Sequence, residues 1–339
     1  MDLALSEEQQ QLVEAFEGLF SRSATSELVR TAEPLGFDKA LRDRLQDMGV
    51  VAMAVEESSG GWGATPVDLA LVAEQVGRFL VPVPVIEMQV AGRLLAKLGA
   101  KVSLQAALDG TRIVTVALHP VSAGRVSMVP AAAVADDVVV LDGDQALLVA
   151  AEGSRQVVEN LGSMPVADVA VGDSAEVLAT GPEAVAAFQA AVDDFLYLTG
   201  AALVGIGARA LEIGVEYVKE RKAWGRPVGS FQSVAHGLAD AHTAIEGARL
   251  LVREAAWAQD DDPSRARELA AFGFAFASES AREATYRALH YHGGYGFMNE
   301  YDAQLYWRRA RAWAGVYGEP RLAYARGERA RLVRLGKVS

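Results

Sequence analysis

Cysteine is absent from the 339-residue sequence. Its absence excludes disulfide bonds, thiolate nucleophiles and metal sites built on thiolate ligands. A chain without disulfides also fits a reducing compartment, although it does not require one.

Positive charge is scarce as well, since 32 Lys and Arg stand against 44 Asp and Glu for a net charge of -12. Nucleic-acid binding needs clustered Lys and Arg, whereas the basic residues here are interleaved with acids along predicted helices. The start "MDLALSEEQQ" lacks the basic and apolar pattern of a signal peptide, and no uncharged apolar run is long enough to span a bilayer. We therefore expect a cytoplasmic protein that binds neither nucleic acid nor membrane.

Apolar residues are abundant, at 51% of the chain, which is enough for two or three domains with filled cores. From Ser6 to about Lys101 the spacing of apolar residues predicts helices, and "SEEQ" is a capping box at the start of the first one. Further helices are expected over residues 37–48 and from Thr65 or Pro66 onward. We assign residues 1–105 to an N-terminal helical domain.

Short β-branched segments replace the helical pattern between Thr111 and Val177. Gly, Asp or Pro bounds each of them, as expected of strands. This pattern of short, β-branched segments predicts a middle β domain over residues 106–180. The predicted strands are "RIVTVAL", "DDVVVLDG", "ALLVAA", "RQVVENL" and "VADVAV".

The helical period returns from Gly181, and turn-forming stretches divide it into four long segments. Four long helices joined by short connections predict an antiparallel four-helix bundle over residues 181–339. The expected helices cover residues 182–223, 233–259, 263–290 and 303–335.

Two of the connecting stretches, "ERKAWGRPVGSFQ" and "ALHYHGGYGFMNEYD", resemble motifs of the acyl-CoA dehydrogenases. The resemblance extends over essentially the whole chain and includes "VEESSGGWGATPVDLALVAEQVGR" near its start. It implies a mainly α protein with a small β domain in the acyl-CoA dehydrogenase fold. Such flavoenzymes oxidise the Cα–Cβ bond of acyl-CoA thioesters and use FAD.

The first motif, by this resemblance, holds the nucleotide half of a neighbouring subunit's FAD. Arg221 would reach the pyrophosphate, since a planar guanidinium donates parallel charge-assisted hydrogen bonds to phosphates. Trp224 would pack near the nucleotide and Gln232 would bond to it, with Gly225 in the turn and Phe231 completing the set. The alternative is an ordinary helix connection with a surface arginine and a buried Phe231.

The second motif supplies Gly293, Gly294 and Gly296, which suit a backbone that approaches a ligand closely or adopts positive φ. The resemblance places this loop against the ADP part of FAD, with His290 at a position where Gln is usual. The alternative is that His290 and His292 only pack a turn. We predict no metal site, because a His-x-His pair without carboxylate or thiolate neighbours is weak as a ligand set.

Catalysis in the family requires a carboxylate that removes the α-proton of the thioester. Family members place it in one of two positions. In this sequence they correspond to Gly318, which follows Tyr317, and to Phe195, which is followed by Leu196 instead of the usual Arg. We therefore expect no catalytic residue in this chain.

This sequence departs from the family in a second respect, because it lacks the segments that bond to the flavin ring. No "TEP…GSD"-like loop or "W-I-T-N"-like strand occurs between Thr111 and Val177. The pattern resembles the smaller, non-catalytic subunit of α2β2 acyl-CoA dehydrogenases, which in actinobacteria include enzymes for steroid side-chain CoA thioesters. It implies a homologous catalytic partner, FAD shared across their interface, an acyl-CoA substrate and an electron-transfer flavoprotein.

Two other interpretations stay open at this point. A self-sufficient homotetramer would need a relocated base, for which Glu319, Asp194 and Glu246 are the candidates. A flavin-free scaffold would use the bundle only for association. The colour of the purified protein separates these possibilities.

Overall fold

The computed structural model describes residues 4–338. Eleven α-helices and nine strands follow one another along this part of the chain. The helices are α1 Glu7–Ser23, α2 Ser26–Thr31, α3 Lys39–Asp47, α4 Pro66–Arg78, α5 Val85–Lys97, α6 Lys101–Leu108, α7 Pro182–Glu220, α8 Gln232–Asp261, α9 Pro263–Tyr291, α10 Ala303–Gly315 and α11 Pro320–Arg334. The strands are β1 Val114–Val116, β2 Arg125–Val129, β3 Asp137–Asp142, β4 Gln145–Ala150, β5 Arg155–Val157, β6 Ala167–Ala170, β7 Glu176–Thr180, β8 Lys222–Ala223 and β9 Arg226–Pro227.

The predicted fold class is confirmed, because the protein is mainly helical and its larger sheets lie between α6 and α7. One sheet has the order β1-β3-β4-β7 and the other the order β2-β6-β5. Strands β1 and β3 run parallel, and the remaining pairs are antiparallel. Strands β8 and β9 form a third, two-stranded sheet.

The chain forms two compact units. One contains the residues through Ser26, then Ala70–Val81 and the chain from Leu196 onward. The other contains Glu27–Leu69 and Pro82–Phe195. These units divide the chain differently from the three predicted domains, whose boundaries stay a prediction.

The predicted start of the first helix is confirmed in atomic detail. The Ser6 hydroxyl accepts from the amide of Gln9 at 3.2 Å, and the Gln9 side chain accepts from the amide of Ser6 at 3.2 Å. Each bond satisfies an amide that has no partner within the helix. The predicted helices at residues 37–48 and from Pro66 correspond to α3 and α4.

The strand predictions are partly confirmed. All five segments contain strands of three to six residues at the expected places, although the strands in "RIVTVAL" and "RQVVENL" cover only Val114–Val116 and Arg155–Val157. Strands β2 and β7 were not predicted. Strand β2 contains Met128 at φ 55° and pairs irregularly with β6, so it lacks a clean alternating pattern.

The long helices of the bundle agree with prediction, since α7, α8 and α9 begin and end within three residues of the expected bounds. They pack closely at glycines: a β-carbon on Gly207 would lie 2.3 Å from Ile245, and one on Gly200 3.1 Å from Val252. The single helix expected over residues 303–335 is wrong. The chain breaks between α10 and α11, where Gly318 adopts φ 113° and Pro320 starts the next helix.

Helix α7 meets a length and hydropathy criterion for a membrane span, with a mean hydropathy of 1.4 over its most apolar window. Within that window 72% is buried inside the protein. The length and apolar character of α7 therefore match those of a core helix of the bundle.

Candidate functional site

A β-hairpin with a two-residue turn forms the core of the first motif. Its strands pair Lys222 with Pro227 and Ala223 with Arg226, and Trp224 and Gly225 occupy the turn at φ 48° and 77°. Two successive positive φ angles are typical of the type I′ turn that joins twisted strands. A bulky residue in the left-handed region of φ and ψ costs about 1–2 kcal/mol of conformational free energy. Trp224 adopts this conformation and is 90% exposed. The Trp224 ring is therefore accessible to a ligand.

Phe231 organises the side chains of the hairpin. The Trp224 ring meets it edge-on, with 5.7 Å between centroids, and the Arg226 guanidinium lies 4.2 Å from its centroid. Phe231 is half-buried, and it precedes Gln232, the exposed first residue of α8. The alternative of an ordinary connection expected a buried Phe231. Phe231 is only half-buried, because the residues that cover one side of its ring, Trp224 and Arg226, are themselves exposed.

The two motifs meet within one chain. The Arg221 guanidinium lies 5.9 Å from the centroid of Tyr295, which belongs to the glycine-rich loop. Tyr217, one turn before the end of α7, stacks on His292 with 4.1 Å between ring centroids. Arg221 is exposed, and no ion pair to it occurs among residues 4–338. The hairpin and the loop thus form one surface that presents an unneutralised guanidinium.

The three predicted glycines have different structural roles. Gly293 adopts φ 62°, and a β-carbon on Gly296 would lie only 2.4 Å from the Leu289 carbonyl oxygen. Gly294 adopts no positive φ, and a β-carbon there would meet nothing within 4 Å. No contact in the described chain therefore requires glycine at 294, and the backbone there is open to close approach.

The two histidines of the motif also differ. His292 is buried, its Nδ1 lies 2.7 Å from the Ala288 carbonyl oxygen, and its ring packs against Tyr217. For His292 the turn-packing alternative therefore holds. His290 is exposed and stacks on Tyr286 with 5.6 Å between ring centroids. No cluster of three potential metal-ligating side chains occurs in the part of the chain that the structure describes.

Neither predicted base position holds an ionisable side chain. Phe195 is buried in α7, and Gly318 lies in the break between α10 and α11. A β-carbon on Gly318 would also lie 2.5 Å from Leu322, so the φ of 113° and the space both favour glycine.

The three relocated candidates are each held by an arginine. The Asp194 carboxylate is buried and accepts from Arg93 Nε at 2.9 Å. Glu246 forms a short ion pair with Arg249, and this hydrogen bond holds the pKa of its carboxyl below the ordinary value.

Glu319, the third candidate, has its carboxylate 3.5 Å from Arg282 and is 67% exposed. A general base in this chemistry works best with a pKa near the operating pH in a shielded site. The Glu246 and Glu319 side chains are 45% and 67% exposed, so neither lies in a shielded site.

The β segment that would face a flavin ring forms its polar contacts internally. The Asp168 carboxylate accepts from the amide of Met128 at 2.8 Å and from Arg125 at 2.7 Å. Thr115 donates its hydroxyl hydrogen to the Pro130 carbonyl oxygen at 2.7 Å. These donors are engaged within the β region.

Sequence reasoning missed two residues of the combined surface. Arg226 and Tyr295 lie inside the two quoted motifs, and their contacts with Phe231 and Arg221 depend on side-chain geometry that no spacing rule gives. Arg226 and Phe231 are close in sequence, which is a weak signal for a cation–π pair, whereas Arg221 and Tyr295 are far apart and have no such signal.

The donor set fits the nucleotide half of FAD. Arg221 supplies a guanidinium for a diphosphate, the open backbone at Gly294 permits close approach, and Trp224 offers an exposed aromatic face. The first amides of α8 add donors at a helix N-terminus, where anions bind favourably.

Comparison with known proteins identifies matching families and relatives. The models of the acyl-CoA dehydrogenase N-terminal and C-terminal domains match residues 6–108 and 189–318. "Acyl-CoA dehydrogenase IpdE2" of Mycolicibacterium smegmatis is 30% identical over 326 residues, covering 94% of this chain and 96% of that protein. The protein of the same name from Mycobacterium tuberculosis is 31% identical, covering 93% of this chain and 94% of its own length.

Two solved structures are similar over their whole length. The Tcur3481-Tcur3483 steroid ACAD superposes with a TM-score of 0.88 at 26% identity, covering 97% of this chain and 99% of that chain. The ChsE4-ChsE5 complex of Mycobacterium tuberculosis gives the same TM-score and identity, with complete coverage of both chains. Both structures are described as containing two different proteins.

Proposed function

Because the chain belongs to the acyl-CoA dehydrogenase family, we propose that it is the smaller, non-catalytic subunit of an α2β2 flavoenzyme. It completes the nucleotide half of the FAD site of a homologous catalytic partner. The observation that carries the proposal is a contrast within one chain: Arg221 and Trp224 are exposed and suited to a nucleotide, while both base positions lack a carboxylate.

The nucleotide side of the proposal rests on the joined hairpin and glycine loop. Arg221 would donate to the FAD pyrophosphate, while Trp224 and Gln232 would contact the nucleotide from the hairpin. Gly293, Gly294 and His290 would lie against its ADP part. Gly225, Phe231 and Gly296 hold the backbone and rings in place, as their φ angle, ring contacts and close packing indicate.

The catalytic side would belong to the partner subunit. When bound, FAD supplies the acceptor for the β-hydride of the acyl group, and electrons would then pass to an electron-transfer flavoprotein. The partner would provide the carboxylate that removes the α-proton and the groups that bond to the flavin ring. Without these groups of the partner subunit, this chain would be inactive alone.

The acyl group of the substrate is proposed to be a steroid side chain. The support is the similarity to the Tcur3481-Tcur3483 protein, whose description names it a steroid ACAD. A panel of fatty-acyl and steroid-side-chain CoA thioesters given to the assembled enzyme tests this proposal. We expect turnover of the steroid thioesters and little or none of straight-chain ones.

Replacement of Arg221 tests the nucleotide role directly. The Arg221→Ala variant is co-expressed with the catalytic partner, and the FAD dissociation constant of the purified complex is measured. Loss of a charge-assisted bond worth about 1.5–3 kcal/mol weakens binding by roughly 10- to 150-fold.

The matched control is Lys219→Ala, which removes an exposed cation from the last turn of α7. We expect the control complex to bind FAD as the unchanged complex does. An unchanged dissociation constant for Arg221→Ala would remove the main support for the proposed role.

A further inference from the structure

One side of α11 combines exposed apolar residues with charge of a single sign. Leu322, Arg329 and Val333 are spaced by two helical turns and then by one turn, so they lie on the same side of the helix. Arg321 and Ala325 flank them, and all five residues are exposed. The apolar residues Leu322 and Val333 are 46% and 49% exposed. We call these five residues the outer face of α11.

Contacts on the opposite side fix the rotation of α11. The buried residues of the helix are Pro320, Ala323 and Gly327. A β-carbon on Gly327 would lie 2.6 Å from the ring of Phe272 in α9, and Arg334 donates to the Glu268 carboxylate at 3.0 and 3.1 Å. Because small residues occupy this contact, the helix has no room to turn its larger apolar side chains inward. The packing against α9 therefore leaves the outer face exposed.

The cations of the outer face have no acidic partner. Among residues 4–338, no side chain forms an ion pair with Arg321 or Arg329. Glu328 is the only acid in the sequence of α11, and it pairs with Arg331 at 2.8 Å. Arg321 also lies in the first turn of the helix, where the helix dipole disfavours a cation. The positive charge of Arg321 therefore does not stabilise α11, and both cations are left for an external anion.

The surrounding part of the chain adds to this positive charge. Residues 263–338 contain 13 Lys and Arg against seven Asp and Glu, whereas the whole chain has a net charge of -12. The end of the chain is thus basic although the protein is acidic. A local field of one sign favours a partner surface of the opposite sign.

A second copy of this chain is a poor occupant of the outer face. In a two-fold contact the same patch lies on both chains, so Arg329 of one copy would approach the cations of the other. Like charges brought together in an interface oppose association. An anionic membrane also fits poorly, because the outer face has only two large apolar side chains and no aromatic ring. These features favour a different protein chain.

We infer that the outer face of α11 binds an acidic and apolar surface of the catalytic partner subunit, an inference that rests on the proposed function. Arg321 and Arg329 pair with acidic side chains of that subunit, and its apolar side chains cover Leu322 and Val333. The charge of α11 thereby makes the chain assemble with a related protein and not with itself.

The experiment measures the dissociation constant between this chain and its catalytic partner, and native mass records the assembly. The variant Arg321→Glu/Arg329→Glu reverses both cations. We expect it to weaken the association by about tenfold or more, because attraction to acidic side chains becomes repulsion. A second variant, Leu322→Ser/Val333→Ser, removes the apolar contacts and is also expected to weaken the association by about tenfold or more.

Salt separates the effect of charge from a general disturbance. Raising NaCl from about 0.05 to about 0.5 M should weaken the unchanged complex, because salt screens exposed charges. The same change should weaken the charge-reversed complex less, or strengthen it.

The matched control is Lys97→Glu/Lys101→Glu, which reverses two exposed cations at the end of α5 and the start of α6. We expect this control to leave both the dissociation constant and its salt dependence unchanged. Urea unfolding of each full chain checks that the exposed substitutions leave the fold intact.

Three results would overturn the inference. The first is an unchanged dissociation constant in both outer-face variants. The second is a homodimer of this chain that the charge reversal abolishes, which would assign the face to a second copy. The third is binding to phosphatidylserine vesicles that the reversal abolishes while the mixed assembly persists, which would assign the face to a membrane.

The same measurements distinguish this inference from the proposed function. If the mixed complex forms and binds FAD but does not respond to the outer-face variants, only the assignment of the surface fails. If the unchanged chain forms no complex with a related catalytic chain, the proposed function fails as well.

Discussion

At the residue scale, glycines of one loop serve different purposes that the sequence alone does not separate. Gly296 packs against the Leu289 carbonyl and Gly293 adopts positive φ, whereas neither condition applies to Gly294. The fold therefore explains two of the three glycines, and the proposed nucleotide site would explain the third.

Alanine replacements at 294 and 296 test this difference. Gly296→Ala places a β-carbon against the backbone and should lower the free energy of unfolding by about 1–3 kcal/mol. Gly294→Ala meets no atom and should leave it unchanged or raise it by up to about 1 kcal/mol. Urea unfolding of the isolated chain measures both values.

The same two variants should differ in the assembled complex. Gly294→Ala is expected to weaken FAD binding by about tenfold, because its methyl group keeps the ligand from the backbone. A Gly294→Ala protein that is as destabilised as Gly296→Ala would show that position 294 serves packing instead.

At the element scale, α5 carries an acidic residue where burial opposes charge. Glu87 lies in the first turn of α5, among the buried residues Val83, Val90 and Ala91. Burial raises the pKa of its carboxyl from 4.5 to about 7. Placement near a helix N-terminus favours a negative charge, but here the loss of hydration outweighs that effect.

Replacement of this carboxyl should stabilise the protein in a pH-dependent way. Because the folded pKa is the higher one, the native chain loses stability as pH rises from 4.5 to 7, by about 3 kcal/mol at most. Glu87→Gln removes this loss, so its advantage should be small at pH 5 and full at pH 8. Urea unfolding at the two pH values measures the advantage.

Glu183→Gln is the control, since Glu183 is an exposed acid in the first turn of α7. It should change stability little at either pH. An advantage of Glu87→Gln that is equal at pH 5 and pH 8 would contradict the assigned pKa.

An element was predicted well where the residues that determine its bounds lie close to it in the sequence. The bounds of α8 and α9 follow from helical spacing and from the Pro at the start of α9, and the sequence contains both signals. The break at Gly318 and Pro320 also had a local signal, but the apolar spacing on either side masked it. The meeting of Arg221 with Tyr295 had none, because it depends on how α7 packs beside the end of α9.

At the scale of the whole molecule, the chain combines the family fold with base positions that hold no carboxylate. The residues of the proposed nucleotide site lie on one surface, and the three candidate base carboxylates pair with Arg93, Arg249 and Arg282. Under the proposed function a complete dehydrogenase would require a second, related chain, and the two similar solved structures each contain two different proteins.

The most direct measurement is the visible spectrum and native mass of the purified chain, alone and co-expressed with a related catalytic chain. We predict a colourless protein alone and a yellow mixed tetramer with one FAD for each pair of chains. A chain that is yellow by itself and oxidises an acyl-CoA would contradict the central claim, and a colourless mixed complex would favour a scaffold without flavin.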